Sequence, residues 1–305
     1  MSSRIIIDCD PGIDDALALM LACSSPEIDL MAVTAVCGNR SVETTSFNAA
    51  RILAVAGRAD IPVHVGCALP IASKIPRYNL IHGEDGLGGV ALPAGRRAAD
   101  THAADYIAQA LLEAPPGSVT IAAIGPLTNL AFVEVRHPGV LQRAESLLVM
   151  GGAAFCAGNA TLHAEFNFHA DPPAAQTVMN AGANLHLFGL DVTSKAIMTD
   201  AWIESFSGMT TRCARAAHAM LRAYVVRDPK LHDACPIAYL LSPELFKSES
   251  CFISIDCEPG ATEGRLLAVP SSRENPSGPA NARVFTDVDR ERLLDLVRGH
   301  IARLP

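Results

Sequence analysis

The chain has 305 residues, half of them apolar, which is enough for one large α/β domain or for two ordinary domains with a substantial core. Its formal net charge is -8 and its longest basic run is the pair Arg96 and Arg97, so it lacks the electrostatic footprint of a nucleic-acid-binding protein. The acidity also disfavours an anionic membrane surface, and no apolar run is long enough to span a bilayer. We therefore expect a globular protein whose partners are neither nucleic acid nor membrane.

The cysteine pattern and the amino-terminal residues favour a cytoplasmic location. The nine cysteines are odd in number and form no close C-x-x-C pair, so we expect free thiols in a reducing compartment rather than disulfides or a zinc site. Residues 1–8 lack the apolar core and the cleavage site of a signal peptide. Both features predict a cytoplasmic protein.

Strand patterns and helix patterns alternate along the chain. The predicted strands are residues 4–8, 30–36, 61–65, 119–124, 146–149 and 184–187. The predicted helices are residues 16–23, 42–56 and 102–112, a helix beginning at Asp171, a mainly helical stretch at 201–226, and residues 234–241. This β-α-β rhythm predicts an α/β protein with a single doubly wound, mostly parallel sheet flanked by helices, with additional C-terminal helices and active-site loops. Because neither a repeat nor a clean boundary interrupts it, residues 1–305 are predicted to form one domain.

Two segments are predicted to be long loops. Residues 68–100 are rich in Gly and Pro, and loops of that length in compact domains are usually functional or mobile. Residues 271–282 form a polar stretch of Pro, Gly, Ser and Asn. The first loop is therefore the better candidate for a part of an active site.

Four carboxylates follow the first predicted strand within eight residues: Asp8, Asp10, Asp14 and Asp15. Ligands bind at the carboxyl ends of the strands in open α/β sheets. Acids this close repel one another unless a cation neutralises them, which favours a hard divalent metal with oxygen ligands. The alternative is a helix N-cap with acids in the first turn, which explains Asp14 and Asp15 but neither Asp8 nor Asp10.

Polar residues also follow other predicted strands, so their side chains are expected to converge on one crevice. Gly38 and Asn39 follow the second strand, residues 125–129 follow Ile124, and residues 150–152 follow the strand at 146–149. Thr128 and Asn129 are read as turn or cap residues, and for Asn39 both interpretations remain open. Farther along, residues 159–167 carry amides and a carboxylate suited to binding a polyol, although an ordinary surface loop would also explain them. His232 and Asp233 precede an apolar helix and by themselves would indicate a helix cap.

Taken in order, four blocks resemble the inosine-uridine preferring nucleoside hydrolase family. They are DPGIDD at residues 10–15, GPLTN at 125–129, EFN at 165–167 and HD at 232–233. Secondary matches are HGEDGLGG at residues 82–89 and LDVT at 190–193. The similarity therefore covers nearly the whole chain, and the Asp-rich loop is its most specific part.

The resemblance implies hydrolysis of the N-glycosidic bond of ribonucleosides to free base and ribose. It implies a Ca²⁺ ion held by the carboxylates of Asp10, Asp15 and Asp233 and by the backbone carbonyl of Ile124. Asp10 is expected to activate a calcium-bound water as the general base, and His232 to protonate the leaving base. The substrate-binding residues implied by the match are Asp14, Asn39, His82, Met150, Asn159, Glu165 and Asn167. The resemblance also implies a homodimer or a homotetramer.

General chemistry is consistent with these roles. Ribosyl transfer passes through an oxocarbenium-like transition state, which fixed carboxylates and amide oxygens around the sugar stabilise. A nucleobase leaves poorly as an anion, and a histidine of near-neutral pKa can protonate it. Ribose is expected over deoxyribose because the site would lose a 2′-hydroxyl partner, whereas purine or pyrimidine preference is not specified.

The sequence departs from the family pattern at two places. Ala234 stands where the family usually has proline, and the loop between Met150 and Asn159 is one residue longer than in some members. Met220 and Tyr224 are read as packing residues of the helix before His232.

Two alternative functions agree less well with the sequence. A Mg²⁺ phosphohydrolase with an aspartyl nucleophile is disfavoured by the PGIDD continuation of the acidic loop. A Ca²⁺-dependent nucleoside or ribose binder without turnover would need neither Asp10 nor His232.

Overall fold

The computed structural model describes residues 2–71, 73–274 and 278–305. Within these residues nine strands form one sheet in the order β3-β2-β1-β4-β5-β6-β9-β7-β8. The strands are β1 (Ser3–Cys9), β2 (Ile28–Ala35), β3 (Val63–Val65), β4 (Thr120–Ala123), β5 (Leu147–Met150), β6 (Leu185–Phe188), β7 (Phe246–Ile255), β8 (Leu266–Pro270) and β9 (Ala282–Val288).

Strand β1 lies inside the sheet, parallel to β2 on one side and to β4 on the other. Its residues Ile5, Ile6 and Ile7 are fully buried, with Ile5 and Ile7 in one core and Ile6 in the other. A strand covered on both faces reads as a continuous apolar run, which is the pattern that predicted it. The chain order reverses between β1 and β4, so the crevice outside their carboxyl ends is the expected ligand site.

Helices cover both faces of the sheet and form two separate apolar cores. One core lies under α1, α2, α9, α10 and α11, and the other lies under α3, α4 and α6. The helices are α1 (Ile13–Ser24), α2 (Val42–Val55), α3 (Ala103–Glu113), α4 (Thr128–Arg136), α5 (Phe166–Ala170), α6 (Pro172–Met179), α7 (Leu190–Thr193), α8 (Asp200–Glu204), α9 (Arg212–Tyr224), α10 (Ala234–Leu241) and α11 (Arg290–Ile301).

The predicted fold class is confirmed, and some element boundaries differ from the predictions. Helix α1 begins three residues earlier than predicted, because Asp14 and Asp15 occupy its first turn, where the helix dipole favours acids. The stretch predicted as mainly helical at 201–226 is two helices, since the hydroxyl of Thr211 accepts from the Ala214 N–H and begins α9 afresh. Residues 234–241 form the predicted helix without change.

The antiparallel end of the sheet was not predicted. Strand β7 pairs antiparallel with both β8 and β9, and β9 joins the parallel part beside β6. The first half of β7 exposes Lys247, Ser248, Glu249 and Ser250, so its sequence has no apolar run to reveal a strand. Of the predicted 271–282 loop, residues 275–277 lie outside the described residues, as does Ala72 of the predicted 68–100 loop. The described part of that longer loop contains one short 3₁₀ turn, Leu80–His82.

No helix within the described residues has both the length and the apolar character needed to cross a membrane. All nine cysteines are free thiols.

Candidate active site

A cavity of about 300 Å³ opens at the carboxyl ends of β1, β2, β4 and β5. Every predicted site residue except Asp15 lines it: Asp10, Asp14, Asn39, His82, Ile124, Met150, Asn159, Glu165, Asn167, His232 and Asp233. Asp15 is fully buried beside them, at the start of α1. The fold therefore brings together side chains that are more than two hundred residues apart in the sequence.

The acidic loop is bound by its own backbone at the start of α1. The Asp15 carboxylate accepts from the Gly12 N–H at 2.8 Å and from the Asp10 N–H at 3.3 Å. Gly12 has no room for a side chain, because a Cβ there would lie 2.8 Å from the His82 ring. The PG turn thus lets the loop, the helix and His82 pack closely.

Three carboxylates form a cluster that could hold a metal ion. One oxygen each from Asp14, Asp15 and Asp233 lies within 4.8 Å of the others, and all three residues are buried. The cluster contains Asp14, which was predicted to bind ribose, whereas Asp10 lies at its side with Oδ2 accepting from the Asn39 N–H at 2.6 Å. The Ile124 carbonyl, a predicted ligand, accepts instead from Asn167 Nδ2 at 3.0 Å.

The acids carry negative charge that protein cations do not neutralise. Burial, together with the charge of Asp15, raises the pKa of Asp10 well above its ordinary value. Burial raises the pKa of Asp15 to about 7, with a further contribution from Asp14, and it raises that of Asp233 as well. Within the described residues, the only basic side chain within 4 Å of a carboxylate oxygen of Asp10, Asp14, Asp15 or Asp233 is that of His82, whose Nε2 lies 3.7 Å from Asp14 Oδ1 and is charged only when the ring is protonated. A divalent cation would offset this repulsion.

Glu165 and Asn167 are held rigidly on the opposite wall. The Glu165 carboxylate caps α5 by accepting from the Asn167 N–H, and it also accepts from the Gly152 N–H at 2.9 Å. Asn167 Nδ2 donates to the carbonyls of Ile124 and Met150 at 3.0 and 3.1 Å. These bonds link the ends of β4 and β5 to α5, so the two side chains have fixed positions beside the acidic cluster.

Asn159, from the loop before α5, faces the same wall. Its Oδ1 accepts from the Phe166 N–H at 2.9 Å. That bond anchors the 151–164 loop at the wall of the cavity.

The two histidines of the cavity have different surroundings. The His82 ring stacks on Tyr224 at a centroid distance of 5.1 Å, and its Nδ1 accepts from the Ile13 N–H at 3.2 Å. Burial lowers its pKa, so this ring is neutral and carries its proton on Nε2. His232 is held at both nitrogens, by Thr193 Oγ1 at Nδ1 (2.8 Å) and by Asp228 Oδ2 at Nε2 (3.1 Å).

The loop that carries His82 is bound to the rest of the site by Arg40. Its buried guanidinium donates to the backbone carbonyls of Asn39, Asn79, Gly83 and Glu84. The loop is also bound at Leu80, whose carbonyl accepts from Arg227 at 2.8 Å.

Sequence reasoning missed several residues of the cavity wall, namely Asn79, Tyr224, Arg227 and Asp228. Tyr224 was read as a packing residue; it is buried, but its hydroxyl lies 3.5 Å from Asp14 Oδ2. Tyr224, Asp228 and His232 are spaced four residues apart, which is a periodic signal of a shared face. In the structure this spacing does not reflect one continuous helix, because α9 ends at Tyr224 and residues 225–232 are not helical.

The family model, the relatives and the solved structures that this chain resembles are nucleoside hydrolases. The family model described as inosine-uridine preferring nucleoside hydrolase matches residues 5–295. The pyrimidine-specific ribonucleoside hydrolase RihA of Photobacterium profundum is 40% identical over 312 residues, covering 99% of each chain. A solved plant nucleoside hydrolase has a TM-score of 0.93 and 31% identity over 99% of each chain. A solved purine-preferring ribonucleoside hydrolase from Gardnerella vaginalis has a TM-score of 0.91 and 28% identity over 98% of each chain.

The doubly wound fold and the acidic crevice at its switch point, together with these relatives, define a hydrolase that acts on N-glycosyl bonds. The chain belongs to the inosine-uridine preferring nucleoside hydrolase family. Its activity is the hydrolysis of ribonucleosides to free base and ribose, and a binding protein without turnover is not favoured.

Proposed function

We propose that this hydrolase uses a Ca²⁺ ion held by Asp10, Asp15, Asp233 and the Ile124 carbonyl, with Asp10 as the general base and His232 as the acid for the leaving base. One observation carries the proposal: a buried cluster of carboxylates without a lysine or arginine partner in the described residues lies at the wall of a cavity of nucleoside size. A bound cation would offset the repulsion in such a cluster and keep its carboxylates ionised.

The residues present fit a calcium ion. The donors are carboxylate and carbonyl oxygens, which hard cations prefer, and Asp14 Oδ1 has no hydrogen-bond partner in the described residues. When bound, Ca²⁺ supplies positive charge that makes water more acidic and attracts hydroxyl oxygens. Asp14 lies within the same cluster, so we assign it to the ribose hydroxyls at the edge of the ion site.

Asp10 removes the proton of the attacking water in this proposal. Its carboxylate lines the cavity, and the Asn39 N–H, 2.6 Å from Oδ2, keeps it oriented. Water then adds to C1′ as the C1′–N bond breaks, so positive charge develops on the ribose ring. The carboxylate of Glu165 stabilises that charge, while Asn39, Asn159 and Asn167 hold the sugar.

The remaining predicted contacts lie around the base and the rim of the sugar. His82 presents a neutral Nε2–H toward Asp14, and Met150 contributes an apolar surface beside Asn167. His232 donates the proton that the leaving base requires. All three residues line the cavity.

We propose that pyrimidine ribonucleosides are the preferred substrates. The pyrimidine-specific relative is 40% identical to this chain, whereas the purine-preferring one is 28% identical. Ribose is preferred over deoxyribose, because loss of the 2′-hydroxyl would leave buried acceptors unpaired.

The domain organisation, the oligomeric state and the cellular location are also proposed from the sequence. Residues 1–305 form a single hydrolase domain, which the continuous sheet supports. The chain assembles as a homodimer or homotetramer, and it acts in the cytoplasm.

The test is release of free base from uridine, cytidine, inosine and adenosine, with added Ca²⁺ and after chelation by EGTA. We expect calcium-dependent release that is fastest from the two pyrimidine nucleosides. Asp10→Asn should lower kcat about 10²-fold or more, as removal of a general base does. The matched control is Asp60→Asn, an exposed carboxylate paired with Arg58, which should leave kcat unchanged.

The outcomes separate the parts of the proposal. Faster hydrolysis of inosine than of uridine would overturn the pyrimidine preference alone. Undiminished release in EGTA, by protein shown to be free of metal, would overturn the calcium site.

A further inference from the structure

His232 is fixed by two side chains that belong neither to the acidic loop nor to the opposite wall of the cavity, which carries Glu165 and Asn167. Asp228 Oδ2 lies 3.1 Å from Nε2, and Thr193 Oγ1 lies 2.8 Å from Nδ1. All three residues are buried, and Asp228 lines the cavity together with His232. Both ring nitrogens thus have a defined partner, which is what a proton donor of fixed orientation requires.

Asp228 determines where the imidazole proton lies. Burial would raise the pKa of this carboxyl, but the hydrogen bond from His232 and the charges of His232 and Lys230 outweigh burial and hold the pKa below its ordinary value. An ionised carboxylate can only accept a hydrogen bond, so Nε2 carries a proton before the reaction, and it takes up a proton again from solvent after the transfer. Thr193 has a hydroxyl that can donate or accept, so it suits Nδ1 in either protonation state.

We propose that Asp228 and Thr193 are positioning residues for His232 and hold its Nε2 proton at the cavity, ready for the leaving base. The inference rests on the proposed role of His232 as the acid. It adds two residues, one from the turn after α9 and one from α7, to the machinery of the reaction.

The proton transfer balances with these groups. In the imidazolium form Nε2–H donates to Asp228 and Nδ1–H donates to Thr193. As the C1′–N bond breaks, its electron pair stays with the base, and the base takes the Nε2 proton. His232 is left neutral with its proton on Nδ1, Asp228 stays ionised, and Asp10 has gained the proton lost by the attacking water. Exchange with solvent then restores both groups.

Thr193 also connects His232 to the 151–164 loop at the wall of the cavity. It closes α7, whose Asp191 accepts from the Ala154 and Phe155 N–H groups at 2.7 Å. Helix α7 therefore binds the 151–164 loop through Asp191 and His232 through Thr193.

The test compares two substrates that differ in their need for an acid. Uridine requires protonation of its leaving base, whereas 4-nitrophenyl β-D-ribofuranoside releases a nitrophenolate that leaves unaided. We expect Asp228→Asn and Thr193→Val to lower kcat for uridine about tenfold or more, part of the 10²–10⁴ that an acid contributes. KM for uridine and kcat for the nitrophenyl riboside should stay within about twofold. Thr193→Ser should recover most of the lost activity because it restores the hydroxyl.

A matched control is Glu204→Gln, which breaks another carboxylate-imidazole pair, Glu204 with His218 at 3.5 Å, away from the cavity. It should leave both substrates unaffected. Equal losses on both substrates in Asp228→Asn, or no loss on uridine, would overturn the positioning role. His232→Ala identifies failure of the underlying proposal, because equal losses on both substrates in that variant would show that His232 is not the acid.

Discussion

Adjacent acids of the first loop have different environments because of the backbone around them. Asp15 accepts from two N–H groups at the start of α1, whereas Asp14 reaches across the cavity to Tyr224 and His82. Asp8 points the other way, and its Oδ1 accepts from Thr34 at 2.6 Å and from Asn129 at 2.8 Å. The second carboxylate oxygen of Asp8 is buried and has no hydrogen-bond partner in the described residues. Of these four acids, Asp10 and Asp14 therefore line the cavity, Asp15 is buried beside it, and Asp8 faces away from it.

Asp8 should make stability depend on pH. Burial raises its pKa to about 7 from 3.8, so the folded protein keeps a proton that the unfolded chain releases, and the free energy of unfolding falls as pH rises from 4 to 7. Asp8→Asn removes this dependence, which corresponds to at most about 4 kcal/mol for a shift of about three pKa units. Denaturant unfolding in EGTA at pH 5 and pH 8 measures it. A difference between variant and wild type that is the same at both pH values would contradict the prediction.

At the scale of elements, both short strands and a long loop supply residues to the site. Strands β4 and β5 have four residues each and end at the cavity wall, where Ile124 and Met150 meet Asn167. The 79–84 loop has one 3₁₀ turn of its own, and it accepts five hydrogen bonds from Arg40 and Arg227. The position of His82 thus depends on two arginines from other elements.

Arg40→Lys should loosen this loop, because an ammonium cannot reach four carbonyls at once. We expect KM for uridine to rise about fivefold or more, for a loss of about 1 kcal/mol of binding, with a smaller change in kcat. Hydrogen exchange should become faster at residues 79–84. Arg51→Lys is the matched control, since Arg51 also donates to a carbonyl of the long loop, at Leu92, away from the cavity. Equal effects of the two variants on KM would refute the anchoring role.

At the scale of the whole molecule, the acidic cluster joins distant parts of the chain. Asp14 and Asp15 begin α1, and Asp233 precedes α10, which packs against α1. Repulsion among these buried carboxylates opposes that packing, so a bound cation stabilises the entire fold and not only the site.

Calcium should therefore raise the thermal midpoint of unfolding. At a concentration about 100 times Kd, binding stabilises the native state by about 2.7 kcal/mol, or roughly 5 °C for a protein of this size. Differential scanning fluorimetry with Ca²⁺ and with EGTA measures the shift. Asp15→Asn should abolish most of it, and Asp60→Asn should retain it. A midpoint that does not respond to either cation or chelator would argue against a structural ion at this cluster.

Much of the site was predictable because its signals are local. The β-branched strand, the PG turn and the acids that follow them are consecutive residues, and strand order places their edge at the ligand crevice. Glu165 and Asn167 were assigned through the family resemblance of the short EFN block, and the structure adds that Glu165 caps α5. The antiparallel strands β7 to β9 were missed because their solvent-facing positions are polar and their pairing is non-local.

The sequence by itself determined the fold class and the acidic loop, because these depend on periodicity and on short motifs. The tertiary structure alone decided which side chains meet His232. Thr193 and Asp228 come from separate elements, and the four-residue spacing of Asp228 and His232 falls in the segment between α9 and α10, which is not helical. Tyr224 likewise satisfies the pattern of a packed helix and is brought to Asp14 only when α9 lies against α1. Contacts of this kind depend on how elements pack, and a single sequence carries no local signal for them.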